Sequence, residues 1–164
     1  MKTLSLFLVA VATLAASTSF ASEGDVLLDL GGSASFVSGL GRNQPGLGGQ
    51  LELLYGIDNQ TDIGVFARTD RSKLKATDDS VMATSGGISS WLTTYEGTFR
   101  PQVGGQIGMG YVEKTAFLHL AFQARALIEL ATHVRLFIGG TGGALIGDKT
   151  HGFASADFGA QIMF

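Results

Sequence analysis

The sequence predicts an all-β fold: an eight-stranded antiparallel up-and-down transmembrane β-barrel. Three observations predict it. The N-terminus reads as an export signal, no later segment is apolar enough for a helical span, and the remainder alternates apolar and polar residues in strand-length pieces. The final segment is the clearest: Phe164, Ile162, Ala160, Phe158 and Ala156 alternate with Met163, Gln161, Gly159 and Asp157. One face is greasy, the other small or polar, as period two requires of a strand between unlike solvents.

Residues Met1–Ala21 carry Lys2, an apolar run from Leu4 to Ala16, and Ser19-Phe20-Ala21 as a small-x-small cleavage site. That run is shorter than the roughly 20 residues of a spanning helix. Residues 1–21 are therefore expected to be a cleaved signal peptide, and residues 22–164 the barrel. The chain has no cysteine, so neither a disulfide nor a lipid on a new N-terminal cysteine is expected. A net charge of −3 argues against nucleic-acid binding. The most apolar mature stretch, Ala116–Leu130, is interrupted by His119, Gln123, Arg125 and Glu129. With 24 glycines and positive mean hydropathy, the apolar residues need some use other than a helix.

Taken in order, Val26–Phe36 sets Val26, Leu28, Leu30, Ala34 and Phe36 against Asp29, Ser33 and Ser35. Leu47–Ile57 sets Leu51, Leu53, Tyr55 and Ile57 against Gln50, Glu52 and Gly56, before turn chemistry at Asp58-Asn59-Gln60. Asp62–Asp70 opposes Ile63, Val65 and Ala67 to Asp62, Arg68 and Asp70. A polar loop is expected over Arg71–Gly87, then a strand Ile88–Thr98 with Trp91, Thr93, Tyr95 and Gly97 on the apolar face. Phe99-Arg100-Pro101 reads as a tight connection. Gln102–Glu113 presents Val103, Ile107, Met109 and Tyr111; Leu118–Leu130 presents Leu118, Leu120, Phe122, Ala124, Ala126 and Ile128. His133–Leu145 sets Val134, Leu136 and Ile138 against Arg135 and Thr141, and Gly152–Phe164 closes the count. Short connections alternate with longer ones, which suits periplasmic turns and external loops.

Alternation alone does not say which face meets which solvent. Apolar-face aromatics gather near strand ends, with Phe36, Trp91 and Tyr111 at one end and Tyr55, Phe99 and Phe164 at the other. That distribution predicts two interfacial girdles. The opposite face carries Asp29, Glu52, Arg68, Glu96, Arg125, Glu129, Arg135 and Asp157 among glycines, a set that fits a narrow lumen closed by paired charges. Glu129 and Arg135 flank the expected turn after Leu130 and should pair. Lumen glycines are expected to make room for large inward neighbours such as Phe66 and Phe137.

With the Ser19-Phe20-Ala21 signal, the alternating strands, the Arg100–Tyr111 run and terminal Phe164, the sequence resembles the small outer-membrane β-barrels of Gram-negative bacteria, the OmpA, OmpX and OmpW type. The resemblance implies a place in the bacterial outer membrane and contact with its lipid and lipopolysaccharide. It also implies folding by the barrel-assembly machinery, with Phe158, Ile162 and Phe164 in the recognised segment. It implies a monomer with a structural or surface-interaction role through external loops, needing no cofactor. No peptidoglycan-binding module is expected after Phe164.

Alternative readings are a conduit for small hydrophobic molecules, as in OmpW-like relatives, and a lipid A-modifying enzyme. His119, His133 and His151 lack nucleophile spacing in the sequence; Ser155 near His151 is the one candidate pair. No metal-site spacing is present, and Gly86-Gly87, Gly139-Gly140 and Gly142-Gly143 lack the Lys-Ser/Thr of a phosphate loop. Lys73 and Lys75, in the expected polar loop, could reach lipopolysaccharide phosphates.

Overall fold

Period-two alternation through the chain leaves little choice but strands, and strands with one greasy face must close or pair. The computed structural model describes residues 23–37, 46–73, 80–94, 98–112 and 115–164. Its elements are β1 (Val26–Val37), β2 (Gly46–Gly56), β3 (Thr61–Lys73), β4 (Ser80–Thr93), β5 (Phe99–Val112), β6 (Thr115–Ala131), β7 (Val134–Ile146) and β8 (Thr150–Met163). Each pairs antiparallel with its sequence neighbours, and β8 returns to β1 from Leu27↔Met163 to Val37↔Phe153. The sheet is a closed barrel, so none of the described strands is an edge strand. Connections 57–60, 94–98 and 132–133 leave the end that also carries Glu23 and Phe164; 38–45, 74–79, 113–114 and 147–149 leave the other. The expected signal peptide, Glu96, Tyr95 and Glu113 lie outside the described residues.

The turn after β2 is locked by its own side chain. Asp58 Oδ1 accepts the backbone N–H of Gln60 and of Thr61, each at 2.7 Å. The Gln60 hydrogen bond, foremost, holds this carboxyl below its usual range although it is fully exposed. A depressed folded pKa stabilises the turn above the unfolded value and loses that stabilisation as pH falls through the folded one. An NMR titration of Asp58 should therefore give a midpoint below 3.8. A midpoint at or above that value would contradict the capped turn.

The middle of the chain departs from the sequence expectation. The polar stretch Arg71–Gly87 is not a loop: β3 continues to Lys73 and β4 begins at Ser80, with Arg68↔Ser85 and Thr69↔Thr84 in register. Thr84, Ser85, Gly86 and Gly87 offer no apolar contrast, so the ladder rather than hydrophobicity extends these strands. The fourth strand ends at Thr93, not Thr98, and Phe99-Arg100-Pro101 opens β5 instead of forming the connection. Pro101 needs no donor there; its carbonyl accepts the Thr94 N–H at 3.0 Å.

Burial is inverted relative to a soluble protein. Among the described residues, nineteen polar or charged side chains are buried against eleven hydrophobic ones, while twenty-five large hydrophobics are exposed. The exposed set includes Leu51, Leu53, Val65, Ile107, Phe122, Ile138 and Phe158 around the middle of the wall. Such a contiguous apolar belt is far beyond what a water-soluble monomer presents. It is what lipid-facing strands carry.

Inside, bulky rings are seated on glycine. Phe66↔Gly87, Trp91↔Gly104, Phe117↔Gly110, Phe137↔Gly159 and Phe153↔Gly143 are all cross-strand partners. At the last four glycines a Cβ would stand 2.6–2.9 Å from a ring carbon of its partner. Only a missing side chain lets an aromatic ring lie across so narrow a bore.

Candidate functional site

The lumen concentrates the charged groups of the barrel. Alternation turns Asp29, Glu52, Arg68, Arg125, Arg135 and Asp157 inward, each at most 5% exposed. Glu129 is half-buried, at the end that carries Phe164. Arg100 joins them from a position the sequence reading placed in a connection, and Asp62 and Asp70 from the polar face it gave the third strand. Every described lumen cation is an arginine. Its delocalised, weakly hydrated guanidinium stays charged and offers five fixed donors, which suits burial better than lysine.

The central layer is built on Arg125. This guanidinium pairs through Nη1 with Asp29 Oδ2 and donates from Nε to Gln102 Oε1 at 2.7 Å. It lies 3.9 Å over the Trp91 ring and 5.1 Å from the Phe137 ring centre, so two aromatic faces replace part of its water. Gln102 Nε2 in turn donates to Thr93 Oγ1 at 2.9 Å and reaches Asp62 Oδ2 at 3.4 Å. Glu52 accepts Trp91 Nε1–H at 2.8 Å and Gln106 Nε2–H at 2.6 Å. His119 Nε2 lies 3.3 Å from Gln106 Oε1, with the ring between Phe66 and Phe153.

Trp91 corrects the girdle expectation. It is 3% exposed and faces the lumen, whereas Phe36, Tyr111, Tyr55, Phe99 and Phe164 lie outward, 48–70% exposed. Its indole N–H needs a partner when buried, and Glu52 supplies one. The sequence reading placed Thr93 on the apolar face with it; Thr93 too is buried, while Ile88, Ser90 and Leu92 face out.

Toward the 38–45 end, Arg68 Nε donates to Asp70 Oδ2 at 2.7 Å, and Nη1 lies 3.5 Å from Asp157 Oδ1. Ser33 donates to Asp70, and Ser155 and Thr141 donate to Asp157. At the opposite end Arg100 Nη2 pairs with Glu129 Oε2 at 3.2 Å, and Arg135 Nη1 donates to Gln161 Oε1 at 2.9 Å. Glu129 and Arg135 are register partners, the placement their expected ion pair requires, while the ion pair described for Glu129 is the one with Arg100. The Arg100 pair on the other flank was not foreseen, because Arg100 was taken for a turn residue. Counting two positions back from Gln102 on the same polar face would have found it.

Apolar side chains cap both ends of this network. Leu27, Leu54, Trp91 and Met163 cluster toward the Phe164 end; Val37, Phe117, Leu145 and Phe153 cluster toward the other. Beneath the second cluster, a space of about 10 Å³ beside Ser35, Asp70 and His119 has room for one water at most.

The Ser155–His151 pair does not form a catalytic dyad. The two sit four residues apart on β8 with Phe153 between them, about 13 Å along the strand. Ser155 Oγ is instead committed to Asp157 at 2.8 Å.

No protein-family model and no curated protein matches the sequence. Solved structures do match the fold. Neisserial surface protein A superposes with a TM-score of 0.74 at 15% identity, covering 87% of this chain and 100% of that one. The fold is that of the small eight-stranded outer-membrane barrels. Ail, the attachment invasion locus protein of Yersinia pestis, matches at a TM-score of 0.60 and 16% identity over 87% of this chain and 99% of that chain. OprG, an outer membrane protein of Pseudomonas aeruginosa, matches at 0.59 and 11% over 90% and 98%. At these identities what is shared is the outer-membrane barrel architecture.

Proposed function

We propose that the protein is an integral outer-membrane barrel with a structural or surface-interaction role, its lumen sealed by the ion-pair network. The observation that carries this reading is the inversion of burial: an apolar wall outside and arginine–carboxylate pairs inside. The short turns and both termini then face the periplasm, and connections 38–45, 74–79, 113–114 and 147–149 face outward. Export by residues 1–21 and assembly through Phe158, Ile162 and Phe164 belong to the same reading. Phe158 and Phe164 are exposed on the outer face, where an assembly factor would meet them. Among proteins of this fold, Ail is named for attachment and invasion, which favours a role at the external surface.

The seal is supported by the two apolar clusters and by side chains that use each other as partners across the bore. A conduit with a lateral exit would need a gap in strand pairing; the ladders among the described residues run unbroken around the barrel apart from a register shift between Glu129 and Ala131. Reconstituted into planar bilayers, the folded protein should give no stepwise conductance above the bare membrane. Steady openings of uniform size would overturn the sealed lumen.

A further inference from the structure

The end of the barrel away from Phe164 is not level. The β5–β6 ladder runs on to Val112↔Thr115, whereas the β6–β7 ladder stops at Leu118↔Ile146. Thr115, Ala116 and Phe117 therefore rise past the last paired residue of β7, and the turn 147–149 lies against them: a Cβ on Gly147 would meet Ala116 O at 3.0 Å. The step encloses a pocket of about 300 Å³, lined by Val112, Thr115, Phe117, Leu145, Asp148 and Lys149 among others. That is the lower end of the range for small-molecule sites, about 300–1,000 Å³.

The floor of this pocket is apolar. Phe117 and Leu145 are 6% and 5% exposed and belong to the cluster that caps the lumen at this end, with Val112 packed against it. The same two side chains bound the water-sized space beside Asp70 and His119. They part the pocket from the ion-pair network, so a ligand seated on them goes no deeper.

The rim is supplied by a single turn. Asp148 and Lys149 are consecutive, exposed and opposite in sign. Neither side chain takes part in an ion pair or hydrogen bond among the described residues, and they do not pair with each other. His151, half-buried and with a contact of its own, walls the β8 side. Two unpaired charges of opposite sign over an apolar floor match a short molecule with both charges at one end and an apolar group at the other. A simple carboxylate or a simple amine gains from only one of the two.

We propose that this pocket is an outer-surface binding site for a free α-amino acid with an apolar side chain. Its carboxylate meets the Lys149 ammonium, its ammonium meets the Asp148 carboxylate, and its side chain lies on Phe117 and Leu145. Each charge contact is open to water and individually weak, so selectivity comes from requiring all three parts at once. The proposal gives the surface role above a ligand class and rests on that reading.

The test is an NMR titration of the isotope-labelled barrel in maltoside micelles with L-phenylalanine, hydrocinnamate, phenethylammonium and glycine. Phenylalanine should give saturable amide shifts confined to Val112, Thr115–Phe117 and 145–151. Hydrocinnamate and phenethylammonium, each lacking one charge, should bind about fivefold more weakly, the upper end for an exposed ion pair. Glycine, lacking the apolar group, should lose about tenfold or more. Lys149→Gln should bring phenylalanine down to phenethylammonium, and Asp148→Asn should bring it down to hydrocinnamate; heat-modifiable gel migration checks that both variants fold. Shifts spread over the lipid-facing wall, or affinities that neither variant changes, overturn the site and leave the outer-membrane reading standing. The chain has no cysteine, so Lys149→Cys gives a single thiol. On intact cells it should react with a polyethylene glycol maleimide too large to cross the outer membrane. Labelling only after lysis overturns the outward orientation, and with it an outer-surface site.

Discussion

Arg125→Met should lower the unfolding free energy by about 3–5 kcal/mol, the cost of leaving a buried charge without its partner. The variant keeps most of the side-chain volume but removes the positive charge paired with Asp29. Asp29 is 0% exposed. Gln102 loses the donor at 2.7 Å, and the Trp91 and Phe137 rings lose the cation between them. Replacing both partners, Asp29→Leu with Arg125→Met, should recover most of the loss, because an apolar pair of similar volume carries no desolvation cost. Urea midpoints of the folded gel band in lipid vesicles measure all three variants. An Arg125→Met midpoint equal to the original would contradict the central layer as drawn.

Val65→Arg should destabilise the barrel by about 2–4 kcal/mol, the cost of a cation at the bilayer midplane. Val65 is 55% exposed, midway along the outward row of β3 from Thr61 to Arg71. Leu47→Arg, at the outer boundary beside Arg71, should cost no more than about 1 kcal/mol. The depth dependence is the informative part. On a barrel standing in water, an outward arginine at either position would change stability by about 0.5 kcal/mol or less. Equal and small effects at Val65 and Leu47 would therefore place the wall in water.

What the sequence made legible tracks apolar contrast. The sixth and eighth strands alternate Leu, Ile or Phe with Gln, Arg or Asp, and their faces in the barrel are those expected: Phe122, Ile128, Phe158 and Phe164 outward, Gln123, Arg125, Asp157 and Gln161 inward. The fourth strand hides because Thr84 to Gly87 has no contrast at all, and Trp91 invited assignment to an interface. Its parity was then counted along a strand extended to Thr98 rather than ended at Thr93.

Partners across the bore were illegible for a different reason. Asp29 and Arg125 lie 96 residues apart, and Glu52 and Gln106 lie 54 apart. Alternation gives each of them a direction but not a height, and only closure of β8 on β1 sets which inward residues share a layer. The seating of Phe117 on Gly110 and Phe137 on Gly159 has the same origin: residue types are visible in the chain, pairings only in the register.

The central claim is that the apolar face of this barrel meets lipid. Cell fractionation combined with heat-modifiable gel migration tests it most directly. The account predicts recovery in the outer-membrane fraction, with an unboiled band that runs apart from the boiled one. Recovery in the soluble periplasm, with a single band under both conditions, would contradict it.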